Sequence, residues 1–269
     1  MKKIYLTITV LILAASLKAQ QLNWAYNFGN ADGNAGGNAI TADNSGNTYT
    51  IGFFGKEVDF DPSTTNEINL GSGSSSFILK SNTLGETVWA GSFQSNIAGR
   101  NLGIDIVLDN NNRIISTGTF RGVTDFDPGA GNADLDALTT GSNRTYISIL
   151  NDDGSFVWAG ALLGSKVEAT GIDVDAGGNI FLTGNFDGTV DFDPSNGVFE
   201  LTSATTTSGN DAFFVLKLSS SGDFLWAKSV DGDVESTDLA VDSNGDVWVS
   251  GIYEETVDFD PGSGVNSKT

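Results

Sequence analysis

The chain has 269 residues, 39% apolar and only 17% charged, with 34 glycines and neither cysteine nor histidine. Without these two residue types there are no disulfides, no Ser-His-Asp or Cys-His nucleophile and no His-ligated zinc, copper or iron. A formal charge of −21 repels nucleic acid and anionic membrane surfaces and attracts cations.

In chain order, Lys2 and Lys3 precede an apolar run from Ile4 to Ser16, and small Ala19 follows. This pattern predicts a secretory signal over residues 1–19, too short to span a bilayer. Its removal takes away Lys2, Lys3 and Lys18 and no acid, leaving 10 basic against 34 acidic residues, a net charge of −24. The expected location is outside the cell or at its surface, with the periplasm as the alternative. The remainder, residues 20–269, shows no sustained 3.6-residue apolar period. Its Gly, Thr, Ser and Asn content and short apolar runs predict an all-β protein rich in turns.

Leu22–Tyr26 reads as a short strand carrying Trp24-Ala25, and Trp-Ala returns at Trp89, Trp158 and Trp226. Next comes a twenty-residue stretch that recurs four times, led by Asp43, Asp109, Asp175 and Asp242. The spacings are 66, 66 and 67 residues, the mark of a repeat architecture. Each copy is preceded by an aliphatic strand and opens with an Asp-led turn (fullest at Asp175–Asn179, DAGGN), then a second strand. That strand carries Gly52, Gly118, Gly184 or Gly251, with an aromatic two residues on at Phe54, Phe120, Phe186 or Tyr253. A strand Gly marks a bulge or a close backbone approach, and the weak alternation suits a sheet covered on both faces.

An Asp-Phe-Asp-Pro element follows at Asp59–Pro62, Asp125–Pro128, Asp191–Pro194 and Asp258–Pro261, read as an extra, protruding hairpin with Ser/Thr/Gly-rich connectors such as Thr202–Gly209. Each of the first three periods closes with strand, Gly turn and strand: Phe77, Tyr146 and Phe214 precede Gly85, Gly154 and Gly222, which precede Trp89, Trp158 and Trp226. Four antiparallel strands repeated radially predict β-propeller blades. The expectation is about three complete blades of 66 residues with partial blades at both ends. The fourth copy stops at Thr269, and closed propellers need about four to eight blades, so the chain is expected to be the front of a longer protein.

The repeated units, exemplified by DAFFVLKLSSSGDFLWAKS at Asp211–Ser229, resemble the bacterial β-propeller repeat family often labelled SBBP. The resemblance covers nearly all of residues 22–262 and implies an exported protein; the Asp-Phe-Asp-Pro hairpin lengthens the blade beyond the usual family unit.

The sharpest candidates for chemistry are the pairs Asp59/Asp61, Asp125/Asp127, Asp191/Asp193 and Asp258/Asp260. In an extended segment each pair shares one side, and a calcium ion held by carboxylate and backbone oxygens would offset their repulsion. The bland alternative is turn capping, with the intervening Phe and the Pro packing the hairpin. Paired carboxylates also serve glycoside hydrolysis, but a pair in every repeat lacks the asymmetry of an active site, and no catalytic residue is assigned. The tryptophans could stack on sugars, but their fixed place argues for packing between blades, and Trp248 reads as a core position. The expected function is a binding or structural module for a protein or carbohydrate partner. The alternatives are a carboxylate-based carbohydrate-active enzyme or a calcium-stabilised adhesin.

Overall fold

A computed structural model describes residues 24–28, 35–63, 65–71, 75–96, 101–137, 143–195, 197–203 and 212–269. The expected signal at 1–19 and most of the Thr202–Gly209 connector lie outside these residues. Among the described residues all regular structure is β-strand, in antiparallel sheets none of which closes on itself. No helix there is long and apolar enough to cross a membrane.

The first repeat contains β1 (Ala35–Ala42), β2 (Thr48–Phe54), the short hairpin β3 (Val58–Asp59) and β4 (Asn69–Leu70), then β5 (Ser75–Ser81) and β6 (Thr87–Ser95). Pairing runs β1-β2-β5-β6, an antiparallel four-stranded meander with the hairpin set aside. The second repeat has the same plan: β7 (Leu102–Leu108), β8 (Ile114–Phe120), hairpin β9 (Val123–Asp125) and β10 (Asp134–Asp136), β11 (Arg144–Leu150) and the start of β12 (Phe156–Val174). The remainder of β12 opens the third repeat, which continues through β13 (Ile180–Asp191), β14 (Glu200–Thr202), β15 (Ala212–Leu218) and β16 (Phe224–Asp231). In the fourth, β17 (Val234–Val241) pairs β18 (Val247–Tyr253), and β19 (Val257–Asp258) pairs β20 (Ser267–Lys268). Of Leu22–Tyr26, read as a short strand, the described residues Trp24–Tyr26 belong to no sheet.

Two turns of one design join the main strands. Asp43, Asp109, Asp175 and Asp242 lead the first; each accepts, at Oδ1, the backbone N–H groups two and four residues on, at 2.8–3.0 Å. Asn82 and Ser219 do the same in the second turn. The position three residues after each turn's first residue is left-handed: Gly46, Gly178 and Gly245, with Asn112 at φ 58° in the remaining copy. Asn is the side chain that best tolerates that region after Gly.

The strand glycine has a separate cause. A bulge in β1, β7, β12 and β17, between Gly37 and Ala39, Gly103 and Asp105, Ala169 and Gly171, and Ser236 and Asp238, pushes a carbonyl toward the neighbour. A Cβ at Gly52, Gly118, Gly184 or Gly251 would overlap the carbonyl oxygen of Gly36, Leu102, Glu168 or Glu235. The expected close approach is there in all four copies. Strands β5, β8 and β11 are buried along their whole length, as expected for sheets covered on both faces.

The extra hairpin does not protrude freely. The second repeat's β9 pairs β6 of the first, Gln94 opposite Asp125 and Ser95 opposite Thr124. The third repeat's β13 does the same to β12 of the second, Leu163 opposite Asp191 and Gly164 opposite Val190. Each of these hairpins thereby covers the outer edge of the preceding meander, an edge otherwise open to association.

Candidate functional site

In all four Asp-x-Asp pairs both carboxylates accept hydrogen bonds from nearby backbone N–H groups. Asp59 Oδ1 accepts from the backbone N–H of Asp61 and Ile68, Asp125 Oδ1 from Asp127 and Ala133, Asp191 Oδ1 from Asp193 and Phe199, and Asp258 Oδ1 from Asp260 and Asn266, at 2.7–3.1 Å. The second aspartate caps the next turn: Asp61 accepts from Ser63, Asp127 from Gly129, Asp193 from Ser195 and Asp260 from Gly262. The backbone hydrogen bonds from Asn266 and Asp260 hold the Asp258 carboxyl below its usual value. Bonds of this kind are those of the turn-capping alternative. Among the described residues no group of three or more His, Cys, Asp or Glu side chains is placed to hold a metal ion.

The Phe between the aspartates is the anchor. Phe60, Phe126 and Phe192 are fully buried. Phe60 lies 5.8 Å from Phe54 and 4.6 Å from Phe77, Phe126 lies 5.3 Å from Phe120 and 4.8 Å from Tyr146, and Phe192 lies 5.2 Å from Phe186 and 4.8 Å from Phe214. Such tilted and edge-on pairs add to plain area burial.

The tryptophans join neighbouring repeats. Trp24 covers the turn at Gly85, Trp89 that at Gly154 and Trp158 that at Gly222, so closely that a Cβ there would lie 2.5–3.2 Å from the indole. Trp89 Nε1 also donates to the Asp152 carbonyl at 3.0 Å. Trp24–Phe28 thus sits against the first repeat as β6 and β12 sit against the second and third, and Phe28 stacks on Phe60 at 5.7 Å just as Phe93 meets Phe126 at 5.0 Å. Trp248, expected in the core, is instead 67% exposed. β18 carries no third strand among the described residues, and nothing there packs over its outer face.

Three features break the repeat. Two residues after the tryptophan stands Gly91 or Gly160, on which Pro128 or Pro194 sits so tightly that a Cβ would meet the Pro Cβ at 2.7 or 2.8 Å. The first junction has Tyr26 there, 46% exposed, and a cleft opens between Tyr26, Asp61, Pro62, Asn66 and Glu86. Second, Tyr49 hydroxyl donates to the Asp152 carboxylate, and Lys80 Nζ lies 2.7 Å from the same oxygen and 5.1 Å from the Tyr49 ring centre. Burial and Asp152 push the Tyr49 phenol far above its ordinary value, so it stays neutral and serves as a clamp between repeats. Third, Asp105 of β7 accepts from Ile172 N–H and Asp173 of β12 from Val241 N–H. Burial, with the charges of Asp238 and Asp173, pushes the Asp105 carboxyl up. Tyr26 was legible by aligning the repeats on Trp; the other two need contacts between repeats.

The turn aspartates make acid stability predictable. Burial pushes the Asp175 carboxyl up, but hydrogen bonds from the Asn179 side chain and backbone, Gly177 and Lys217 outweigh it and hold it below 3.8. A carboxyl with a folded value below its unfolded one stabilises the fold above the unfolded value and loses that contribution as pH falls through the folded value. Thermal midpoints should therefore fall steeply below about pH 4, and Asp175→Asn, which keeps the Oδ1 acceptor, should flatten the drop. Melting across pH 2 to 6 checks both.

No protein-family model matches the chain, and no curated protein matches it.

Proposed function

We propose that the chain is an exported β-propeller repeat module, similar to the SBBP family, with a binding or structural role at or beyond the cell surface. One observation carries this reading: the repeated Asp, Phe and Trp residues are engaged in closing turns, plugging hairpins or joining one repeat to the next. A scaffold is what such a division of labour builds, leaving the loops to make outside contacts. The radial stacking of a propeller is supported by inner strands set side by side, with Asn38 Nδ2 donating to Gly103 O at 2.6 Å, Ile172 N–H to Asp105 and Val241 N–H to Asp173. Export rests on the 1–19 pattern alone.

The Tyr26 cleft supports a carbohydrate as the partner, because it sets an exposed ring beside carboxylate and amide groups. The test is a polysaccharide panel, read for binding and for released product. The binding-module reading expects binding without release, lost in Tyr26→Gly, which installs the residue found at Gly91 and Gly160; because Tyr26 also stacks on Trp24 at 5.7 Å, a circular dichroism spectrum unchanged from the parent is the accompanying control. Product release would establish a carbohydrate-active enzyme instead. A melting midpoint that moves between calcium and chelator would favour a calcium-stabilised adhesin using the Asp-x-Asp pairs.

A further inference from the structure

The seam between the first two repeats buries four hydroxyls. In the second repeat Ser116 and Gly118 of β8 stand opposite Ser148 and Tyr146 of β11, so Ser116, Ser148 and Tyr146 share one face of the sheet. Ser116 and Ser148 bond to each other, with 2.7 Å between their oxygens. Ser76 comes from β5 of the first repeat, two residues before Ile78, which packs in one cluster with Tyr146. All four hydroxyl-bearing residues are fully buried, yet among the described residues neither the Tyr146 hydroxyl nor Ser76 Oγ has a hydrogen-bond partner. Burial pushes the Tyr146 phenol above its ordinary value, and the nearby Ser76 and Ser116 hydroxyls offset this only in part, so it stays a neutral O–H. The next seam is built differently. There Thr145 stands in the place of Ser76, donating to the Val167 carbonyl at 3.1 Å and accepting from Ala169 N–H at 3.0 Å. Phe214, Leu182 and Leu216 replace Tyr146, Ser116 and Ser148, and all three are fully buried.

We propose that the first seam binds one internal water molecule, held by the Tyr146 hydroxyl and Ser76 Oγ, with the Ser116–Ser148 pair as its third contact. Each hydroxyl carries one donor and two acceptor lone pairs, and leaving it buried and unmet costs more than an ordinary hydrogen bond contributes. Two unmet hydroxyls at one spot call for a partner. Water answers both because it donates and accepts at once, and internal waters make about three bonds to such groups. Gly118 keeps the approach open, since a Cβ there would lie 2.9 Å from the Tyr146 hydroxyl oxygen. The water gives this seam a polar key that the next one lacks. The Tyr146 face is matched to Ser76 and not to Thr145, whose hydroxyl is already engaged. The inference rests on the two unmet hydroxyls and is independent of the proposed binding role.

The test is a high-resolution crystal structure of the chain, with thermal melts of Ser76→Ala, Tyr146→Phe and the two combined. Density should show one ordered water within about 3.2 Å of both Tyr146 Oη and Ser76 Oγ. Tyr146→Phe installs the residue found at Phe77 and Phe214. It should nevertheless lower the melting midpoint, because it leaves Ser76 unmet and the water short of a partner. Adding Ser76→Ala should recover part of that loss, so the two substitutions together cost less than the sum of each alone. Tyr146 and Ser76 oxygens bonded directly to each other, with no water between, would overturn the proposal. So would losses that simply add, because a shared water couples the two groups. If a variant fails to fold, the density in the parent decides by itself.

Discussion

Phe192→Ala should lower the unfolding free energy by about 3–5 kcal/mol, the usual cost of emptying a fully buried phenylalanine site. Phe192 has no exposed surface and touches both Phe186 and Phe214. It also seats the hairpin strand whose Val190 and Asp191 pair Gly164 and Leu163 of the preceding repeat. Its loss opens a cavity and loosens a junction together. The same substitution at Phe259, which is only half-buried and meets a single ring, should cost about 1 kcal/mol. Urea unfolding of the two variants side by side gives the comparison. Equal costs would remove the triad as the anchor of the hairpin.

Gly184→Val is the second large effect, expected at about 3 kcal/mol or more. The bulge between Ala169 and Gly171 sets the Glu168 carbonyl where a Cβ would stand, with the Ala169 Cα 2.7 Å away. Both obstacles are backbone, so no side chain can swing aside to make room. Gly71→Ala is the matched control: nothing lies within 4 Å of a Cβ there, and its unfolding free energy should stay within about 0.5 kcal/mol of the parent. A mild Gly184→Val would mean that the bulge yields, and the close approach would not explain the Gly shared by all four copies.

Local chemistry made the strands and their turns legible. Gly46, Gly85, Gly154, Gly178, Gly222 and Gly245 all take the positive φ that their turns require, and the Asp that leads each first turn caps it. The strand glycines announced a backbone approach, and the structure supplies the carbonyl. The tryptophans' fixed place pointed to packing between repeats, and Trp24, Trp89 and Trp158 each cover a turn of the next one. Contacts distant in sequence were hidden. The Asp-x-Asp pairs left calcium binding and turn capping both open, because hydrogen bonds from Ile68, Ala133, Phe199 and Asn266, eight or nine residues away, cannot be seen in a four-residue motif. The hairpin read as protruding because its partner, the last strand of the previous repeat, lies about thirty residues upstream. Trp248 read as buried because Tyr49, Ile115 and Phe181 are, yet burial depends on what lies over a strand as well as on the strand itself.

The central claim is that the Asp-Phe-Asp-Pro hairpins of the second and third repeats clasp the last strand of the repeat before them. The Asn96 amide, which donates to the Val123 carbonyl at 2.9 Å across that junction, reports on it directly. Residue-resolved hydrogen exchange should find this amide protected in the parent chain and released in Phe126→Ala, while the Ile147 amide in the middle of β11 stays slow in both. Exchange of the Asn96 amide at the rate of an unstructured peptide in the parent chain would contradict the clasp.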